Sequence, residues 1–180
     1  LVGGAIRVAP AFLALAKDAD HLGADAVHSL DQLARYAVNQ RDFGTAIRAA
    51  EEAVEIARWS QDIARTALRG MAFHLLGYVQ ATNGQWMASM VASRKAYEHY
   101  TELDLDAPHP RGKHVFNRLE CLNYVALALV QSGDNARARQ VATESRALLD
   151  EARRRYPNHE KLAQFVQQLE VMLKRLGMRR

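Results

Sequence analysis

The spacing of apolar residues constrains this chain more than any other feature of its sequence. Along nearly all of the 180 residues, apolar side chains recur at intervals of three and four, and no segment sustains an alternation of apolar and polar residues. The observed spacing places apolar side chains on one face of an α-helix, whereas a half-buried strand would need the alternation. The pattern therefore predicts an all-α fold.

Short breaks divide this pattern into about eight predicted helices. Glycine, proline, asparagine and aspartate mark the breaks, and the longest irregular connector is DLDAPHPRG at residues 104–112. We expect a single domain over residues 1–180. The predicted helices cover residues 5–20, 25–40, 43–58, 60–83, 85–103, 113–131, 135–155 and 159–176, with Ser60 as the N-terminal cap of the fourth.

Three segments that begin at short turns share a spacing of small residues. They are RDFGTAIRAAEEA at 41–53, GQWMASMVASRKA at 84–96 and GDNARARQVATES at 133–145. The small residues at corresponding positions are Ala46 and Ala53, Ser89 and Ala96, and Ala138 and Ser145. Small side chains let two helices approach closely. We predict that Gly77, in the helix before the second turn, lies at such a contact and that Trp86 fills the space beside that turn.

This pattern resembles the tetratricopeptide repeat family, in which a large residue, a leucine–glycine pair, a tight turn and two spaced alanines define a helix–turn–helix unit. Three units match, over about residues 25–59, 60–104 and 113–156, with a flanking helix at 5–20 and a capping helix at 159–176. The units exceed the family's usual length of about 34 residues, so the resemblance is to a long-helix variant. It implies a right-handed superhelical array of antiparallel helix pairs.

The resemblance also implies a function, because the first helix of each unit in this family lines a concave groove that binds a protein or peptide ligand. The residues expected in that groove are His28, Asp31, Arg35, Asn39, Met71, His74, Tyr78, Thr82, Glu120, Asn123, Leu127 and Gln131, with Tyr124 alongside. The preferred contacts are Arg35, His74, Tyr78 and Asn123. We therefore expect a scaffold module within a larger bacterial protein of the cytoplasm.

Other functions stay open at this point. Long-helix variants occur in transcription regulators and signal-transduction ATPases, so the chain could be a C-terminal sensor or regulatory domain that binds a small ligand or peptide. The arginines near the C-terminus suggest nucleic-acid binding as another function. It is not favoured, because no run of aromatic residues accompanies them. A structural subunit is a further alternative, with a homodimer formed through the terminal helices.

Patterns that would indicate catalysis, a metal centre or a cofactor are missing from the sequence. No serine or cysteine stands beside a recognisable base, and no glycine-rich phosphate loop occurs. Asp104, Asp106, His109 and His114 could ligate a metal, but their irregular connector favours a solvated loop. Cys121 lies in an apolar run, which predicts a buried thiol in a reducing compartment. No apolar run reaches the roughly 18 residues that a membrane span requires.

Overall fold

The computed structural model describes residues 22–60, 65–106 and 112–178. These residues form seven α-helices and no strand, which confirms the all-α prediction for this part of the chain. The helices are α1 (Leu22–Asn39), α2 (Phe43–Trp59), α3 (Arg65–Thr82), α4 (Trp86–Asp106), α5 (Gly112–Gln131), α6 (Asn135–Arg155) and α7 (Leu162–Arg175). The helix predicted at residues 5–20 lies outside the described residues.

Ser60 closes α2. Its backbone is extended, with φ −60° and ψ 130°, and its N–H donates to the carbonyl of Ile56 in the last turn of α2. Serine is common at the start of a helix because its hydroxyl can accept from a free backbone N–H, and the residue that caps a helix there typically has an extended backbone. Residues 61–64, which follow Ser60, lie outside the described residues, so its role as the N-terminal cap of the fourth predicted helix stays a prediction.

The helices pack in two rows. Each helix contacts the next one along the chain, and in addition α1 contacts α3, α3 contacts α5, and α5 contacts α7. We call these four helices the first row and α2, α4 and α6 the second row. Within the described residues, the backbones of the second-row helices do not approach one another. Side chains do join two of them, because Arg94 of α4 forms an ion pair with Glu144 of α6 at 3.3 Å. The backbones of the first row therefore lie closer together than those of the second row.

Helices of the first row all end in the same left-handed turn. The left-handed residues are Arg41 at φ 58°, Gly84 at φ 73°, Gly133 at φ 80° and Gly177 at φ 64°. In each case the following N–H donates to the carbonyl five residues back, as in a Schellman motif. In the structure α7, which the sequence predicts as a capping helix, ends like the other helices of the first row and is its fourth member.

Aspartate side chains then start the second-row helices after the first and third turns. The Asp42 carboxylate accepts from the N–H of Thr45 at 3.0 Å, and the Asp134 carboxylate accepts from the N–H of Arg137 at 3.1 Å. Each bond satisfies a backbone donor that the first turn of a helix leaves free. The same few residues thus close one helix and begin the next.

A close approach between helices joins α3 to α4 and confirms the prediction for Gly77. A Cβ at Gly77 would meet the Ser93 hydroxyl oxygen and lie 3.2 Å from the Ser93 backbone nitrogen. The Ser89 hydroxyl donates to the Gly77 carbonyl at 2.8 Å. Two turns of α4 further on, the Tyr100 ring lies 3.0 Å from where a Cβ of Gly70 would stand. The predicted place of Trp86 stays a prediction.

Buried residues form clusters that follow the helix pairs. One cluster lies between α1, α2 and α3, and another joins α5, α6 and α7. A small third cluster of Ala96, Tyr100 and Cys121 lies between α4 and α5. The small residues predicted from the turn segments are buried, which confirms their place in the core. Cys121 is buried as predicted, and burial raises the pKa of its thiol.

We expect Gly77→Ala to lower the free energy of unfolding by about 1–2 kcal/mol, since overpacking outweighs the better helix propensity of alanine. Ser93→Ala should restore part of the loss because it removes the oxygen that the new methyl group meets. Gly44→Ala is the matched control, because its Cβ would meet only the Asp42 carboxylate at 3.7 Å. Urea denaturation measures all three. Equal effects of Gly77→Ala and Gly44→Ala would contradict the close contact.

Replacing the left-handed residues should change stability in opposite directions. Nothing lies within 4 Å of a Cβ added at Gly133, so Gly133→Ala should lose about 1 kcal/mol through backbone strain alone. Arg41→Gly should gain a smaller amount, because glycine relieves the strain but adds freedom to the unfolded chain. Thermal unfolding of the two variants, followed by circular dichroism, measures the shifts. A lower melting temperature for Arg41→Gly would contradict this account of the turn.

Candidate functional site

All of the residues predicted for the groove lie on the first row. Those on α1 are His28, Asp31, Arg35 and Asn39, those on α3 are Met71, His74, Tyr78 and Thr82, and those on α5 are Glu120, Asn123, Leu127 and Gln131. Because α1 contacts α3 and α3 contacts α5, the three sets fall on adjacent helices. The side-chain contacts between them decide which residues form one site.

Arg35 connects α1 to α3. Its Nε donates to both carboxylate oxygens of Asp31 at 3.0 Å, and its guanidinium carbon lies 5.2 Å from the centre of the Tyr78 ring. A guanidinium over an aromatic face is attracted by the ring's negative charge density. The Arg35 side chain keeps 51% of its surface exposed, so the pair is accessible from solvent.

Aromatic rings carry the contacts from α3 to α5. The Tyr124 ring centre lies 6.4 Å from that of Tyr78 and 6.1 Å from that of His74. His74 also meets the buried Tyr100 of α4 edge-on at 6.2 Å. We call Asp31, Arg35, His74, Tyr78, Glu120 and Tyr124 the aromatic cluster. The sequence placed Tyr124 only beside the groove, and the structure makes it the link between two helices.

Glu120 lies at the α5 end of the aromatic cluster. One carboxylate oxygen is 3.6 Å from His74 Nε2, and the other accepts from the Tyr124 hydroxyl at 3.5 Å. Burial by itself would raise the pKa of Glu120, but the contact with His74 and the positive charges of Lys161 and Arg35 outweigh it. The pKa of Glu120 is therefore lowered, which favours a carboxylate at neutral pH.

Several predicted residues are not joined to the cluster by side-chain bonds. The exposed His28 ring shares a hydrogen bond with the Gln32 amide at 3.0 Å, and the Thr82 hydroxyl donates to the carbonyl of Tyr78 at 2.9 Å. Asn39 and Gln131 are exposed at the ends of their helices. These side chains border the surface without extending the cluster.

Asn123 and Leu127 face α7, which sequence reasoning did not include in the groove. They line a pocket of about 310 Å³ between α5 and α7, together with Gln168, Val171, Met172 and Arg175. We call this the α5–α7 pocket. Gly177 carries the signal that could have revealed it, because it ends α7 with the same left-handed turn that Gly84 and Gly133 form.

The apolar stripe of α7, one of the surfaces expected for a homodimer, packs within the chain. Its members Leu162, Phe165, Leu169, Leu173 and Leu176 are buried in the cluster with α5 and α6, and Met172 is buried beside them. Val171, with 50% of its surface exposed, is the large apolar side chain that α7 leaves in solvent. It borders the α5–α7 pocket.

Asp104, one of the residues considered as a metal ligand, forms an ion pair. The Arg118 guanidinium donates to its carboxylate at 2.9 Å, and both side chains are largely buried. The Tyr97 ring lies beside the same guanidinium, at 5.2 Å from its carbon. His109 lies outside the described residues. Within the described ranges, no group of three or more His, Cys, Asp or Glu side chains is placed to hold a metal ion.

No protein family model, curated protein or solved structure matches this chain. The resemblance to tetratricopeptide repeats therefore stays a prediction from the sequence. Among helices α1 to α7, none is long and apolar enough to cross a membrane.

Two glutamates should respond to pH with opposite signs. The lowered pKa of Glu120 stabilises the fold above the usual glutamate value of about 4.5, and this contribution is lost as the pH falls through the lowered value. Burial and the neighbouring Glu55 raise the pKa of Glu52, so its contribution is lost as the pH rises through the raised value.

At pH 7, Glu120→Gln should therefore lower the stability and Glu52→Gln should raise it slightly. Both differences should shrink as the pH falls, because each glutamate then becomes protonated in the folded as well as the unfolded state, and Glu120 does so last because its pKa is lowered. Urea denaturation between about pH 2 and 7 measures the two curves. The account of Glu120 is wrong if its variant differs from the wild type equally at both ends of this range.

Proposed function

We propose that the exposed surface of the first row binds an extended protein or peptide segment. The chain would then act as a scaffold module of tetratricopeptide type, a right-handed superhelical array with the first row on its inner side. The aromatic cluster is the observation that carries this proposal. It brings together side chains from three separate helices, and the resemblance to tetratricopeptide repeats implies a place in one groove for five of its six residues.

The packing of the two rows supports an inner position for the first row. The backbones of its helices approach one another, while those of the second row lie farther apart and α4 and α6 are joined by the side chains of Arg94 and Glu144. Closer spacing on one side of a layer than on the other curves the layer toward the closely spaced side. Stacked units of this kind form extended concave surfaces that many helical arrays use for binding.

The chemistry of the surface suits a peptide. Arg35 offers an exposed guanidinium held over Tyr78, and rings with polar tips follow at Tyr78 and Tyr124. Tyrosine and arginine are enriched where proteins bind one another, because each combines a large contact area with directional hydrogen bonds. Asn123, one turn of α5 beyond Glu120, adds an amide that can bond to a peptide backbone.

The alternative of a sensor or regulatory domain uses the same surface and differs in the size of the ligand. The sites along the first row span four helices, which favours an extended ligand over a small molecule enclosed by one pocket. The proposal includes a cytoplasmic location, and the lone buried thiol of Cys121 supports it because disulfides are rare in that compartment.

A double variant, Arg35→Ala with Asn123→Ala, tests the proposal. We expect peptides selected from a phage-displayed random library on the wild-type protein to bind this variant at least about tenfold more weakly, equivalent to about 1.4 kcal/mol. Fluorescence anisotropy with the synthetic peptides measures the affinities. Thermal unfolding should change little, since Arg35 is half exposed and its ion pair with Asp31 lies at the surface.

The matched control is Arg58→Ala with Gln140→Ala on the second row. Arg58 also forms a surface ion pair, with Glu55 at 2.9 Å, and its side chain is 58% exposed. This control should bind the selected peptides like the wild type. Failure to select any peptide, or equal weakening by the two double variants, would refute binding by the first row.

A further inference from the structure

The α5–α7 pocket contains a buried acceptor without a donor. The side-chain oxygen of Gln168 is buried and has no hydrogen-bond partner among the described residues. Leaving a buried polar group unpaired carries a free-energy cost. A ligand that brings an N–H to this oxygen would recover that cost, and a peptide backbone carries such a donor at almost every residue.

Asn123 lies on the opposite side of the pocket, and its amide is also unengaged. It is half-buried on α5 and forms no hydrogen bond with the part of the chain that the structure describes. The aromatic cluster differs in this respect, because Arg35, Glu120 and Tyr124 each contact a polar partner. Gln80 of α3 also has a buried side-chain oxygen without a partner, but the α7 end places two unpaired amides, those of Asn123 and Gln168, at one pocket.

Apolar side chains fill the remainder of the pocket lining. Leu127 is half-buried, Met172 is buried, and Val171 is 50% exposed. An apolar side chain inserted between them would remove its own surface and that of Val171 from water, which favours binding. The pocket thus combines an apolar lining with amides on two sides.

Arg175 supplies a positive charge at the rim. It is exposed and forms no ion pair within the described residues. A basic residue in the last turn commonly interacts with the free carbonyls of its helix. That role falls to Arg139 of α6 for the carbonyl of Leu176, since its Nε and Nη2 donate to it at 3.2 and 3.1 Å. The guanidinium of Arg175 is left to bind a carboxylate.

We propose that the α5–α7 pocket binds an apolar side chain of an extended peptide segment that carries an aspartate or glutamate next to it. The backbone N–H of the segment donates to Gln168, Asn123 bonds to the neighbouring peptide group, and Arg175 pairs with the acidic side chain. This inference rests on the proposed function, because the pocket continues the surface of the first row onto α7. The inference specifies the chemistry of the bound segment, which is an apolar residue next to an acidic one.

The test uses defined probes. These are fluorescent glycine–serine peptides of eight residues, with an amidated C-terminus and one central pair: leucine–aspartate, leucine–asparagine, leucine–lysine or glycine–aspartate. A fifth probe ends in leucine with a free carboxylate. We expect the leucine–aspartate probe to bind at least about tenfold more tightly than each of the others, by fluorescence anisotropy.

Matched variants assign the binding to the pocket. Val171→Asp should weaken the binding of the leucine–aspartate probe at least about tenfold, because it places a charge in the apolar lining and repels the acidic side chain. Val91→Asp, at a valine of α4 with similar exposure, should leave the affinity unchanged. Arg175→Gln should abolish the preference for aspartate over asparagine, and Lys174→Gln, at the adjacent exposed lysine, should retain it.

Two outcomes separate this inference from the proposed function. If random peptides are selected and depend on Arg35 and Asn123, but Val171→Asp binds every probe like the wild type, the pocket assignment alone is wrong. Tight binding restricted to the probe with a free C-terminal carboxylate would likewise overturn the choice of an acidic side chain. If no random peptide is selected and no probe binds, both proposals fail together.

Discussion

The close contact between α3 and α4 is the constraint on which the arrangement of the helices depends. Gly77 leaves no room for even one methyl group beside Ser93, and the Ser89 hydroxyl bonds to the carbonyl of Gly77. Because α3 lies in the first row, its distance from α4 also sets how α3 meets α1 and α5. The alanines of α2 and α6 serve the same purpose in the units on either side. A few small side chains thus determine where the exposed faces of the first row stand.

Repeated turns extend this arrangement along the chain. A left-handed residue closes each first-row helix, and the two aspartates that follow Arg41 and Gly133 start the next helix. The direction in which the chain leaves one helix and enters the next is therefore similar in successive units. Similar directions place corresponding residues on one surface, and this is how Arg35, Tyr78 and Leu127 come to lie on adjacent helices. The turn at Gly177 ends α7 in the same way as the other helices of the first row.

Electrostatic pairing divides the first-row surface into two parts with different properties. In the aromatic cluster, the charges of Arg35, Asp31 and Glu120 already have partners within the chain, so a ligand there must compete with existing bonds or lie across them. At the α5–α7 pocket, Gln168 and Arg175 have no such partner among the described residues. A ligand gains more from satisfying a group that lacks a partner than from replacing one that exists. The first part would position a segment, and the second would select it.

The sequence by itself determined the all-α fold, most helix boundaries and the buried small residues, because apolar periodicity, turn chemistry and side-chain size act over a few neighbouring residues. The residues that the resemblance implies for a groove fall on three adjacent helices, because the predicted helix boundaries are close to those of the structure. The sequence missed Tyr124 as a link, the pairing of Asp104 with Arg118 and the contribution of α7. Those features depend on contacts between side chains from distant parts of the chain. Only the tertiary structure decided them, because the packing of helices sets such contacts and the local spacing of residues does not specify it.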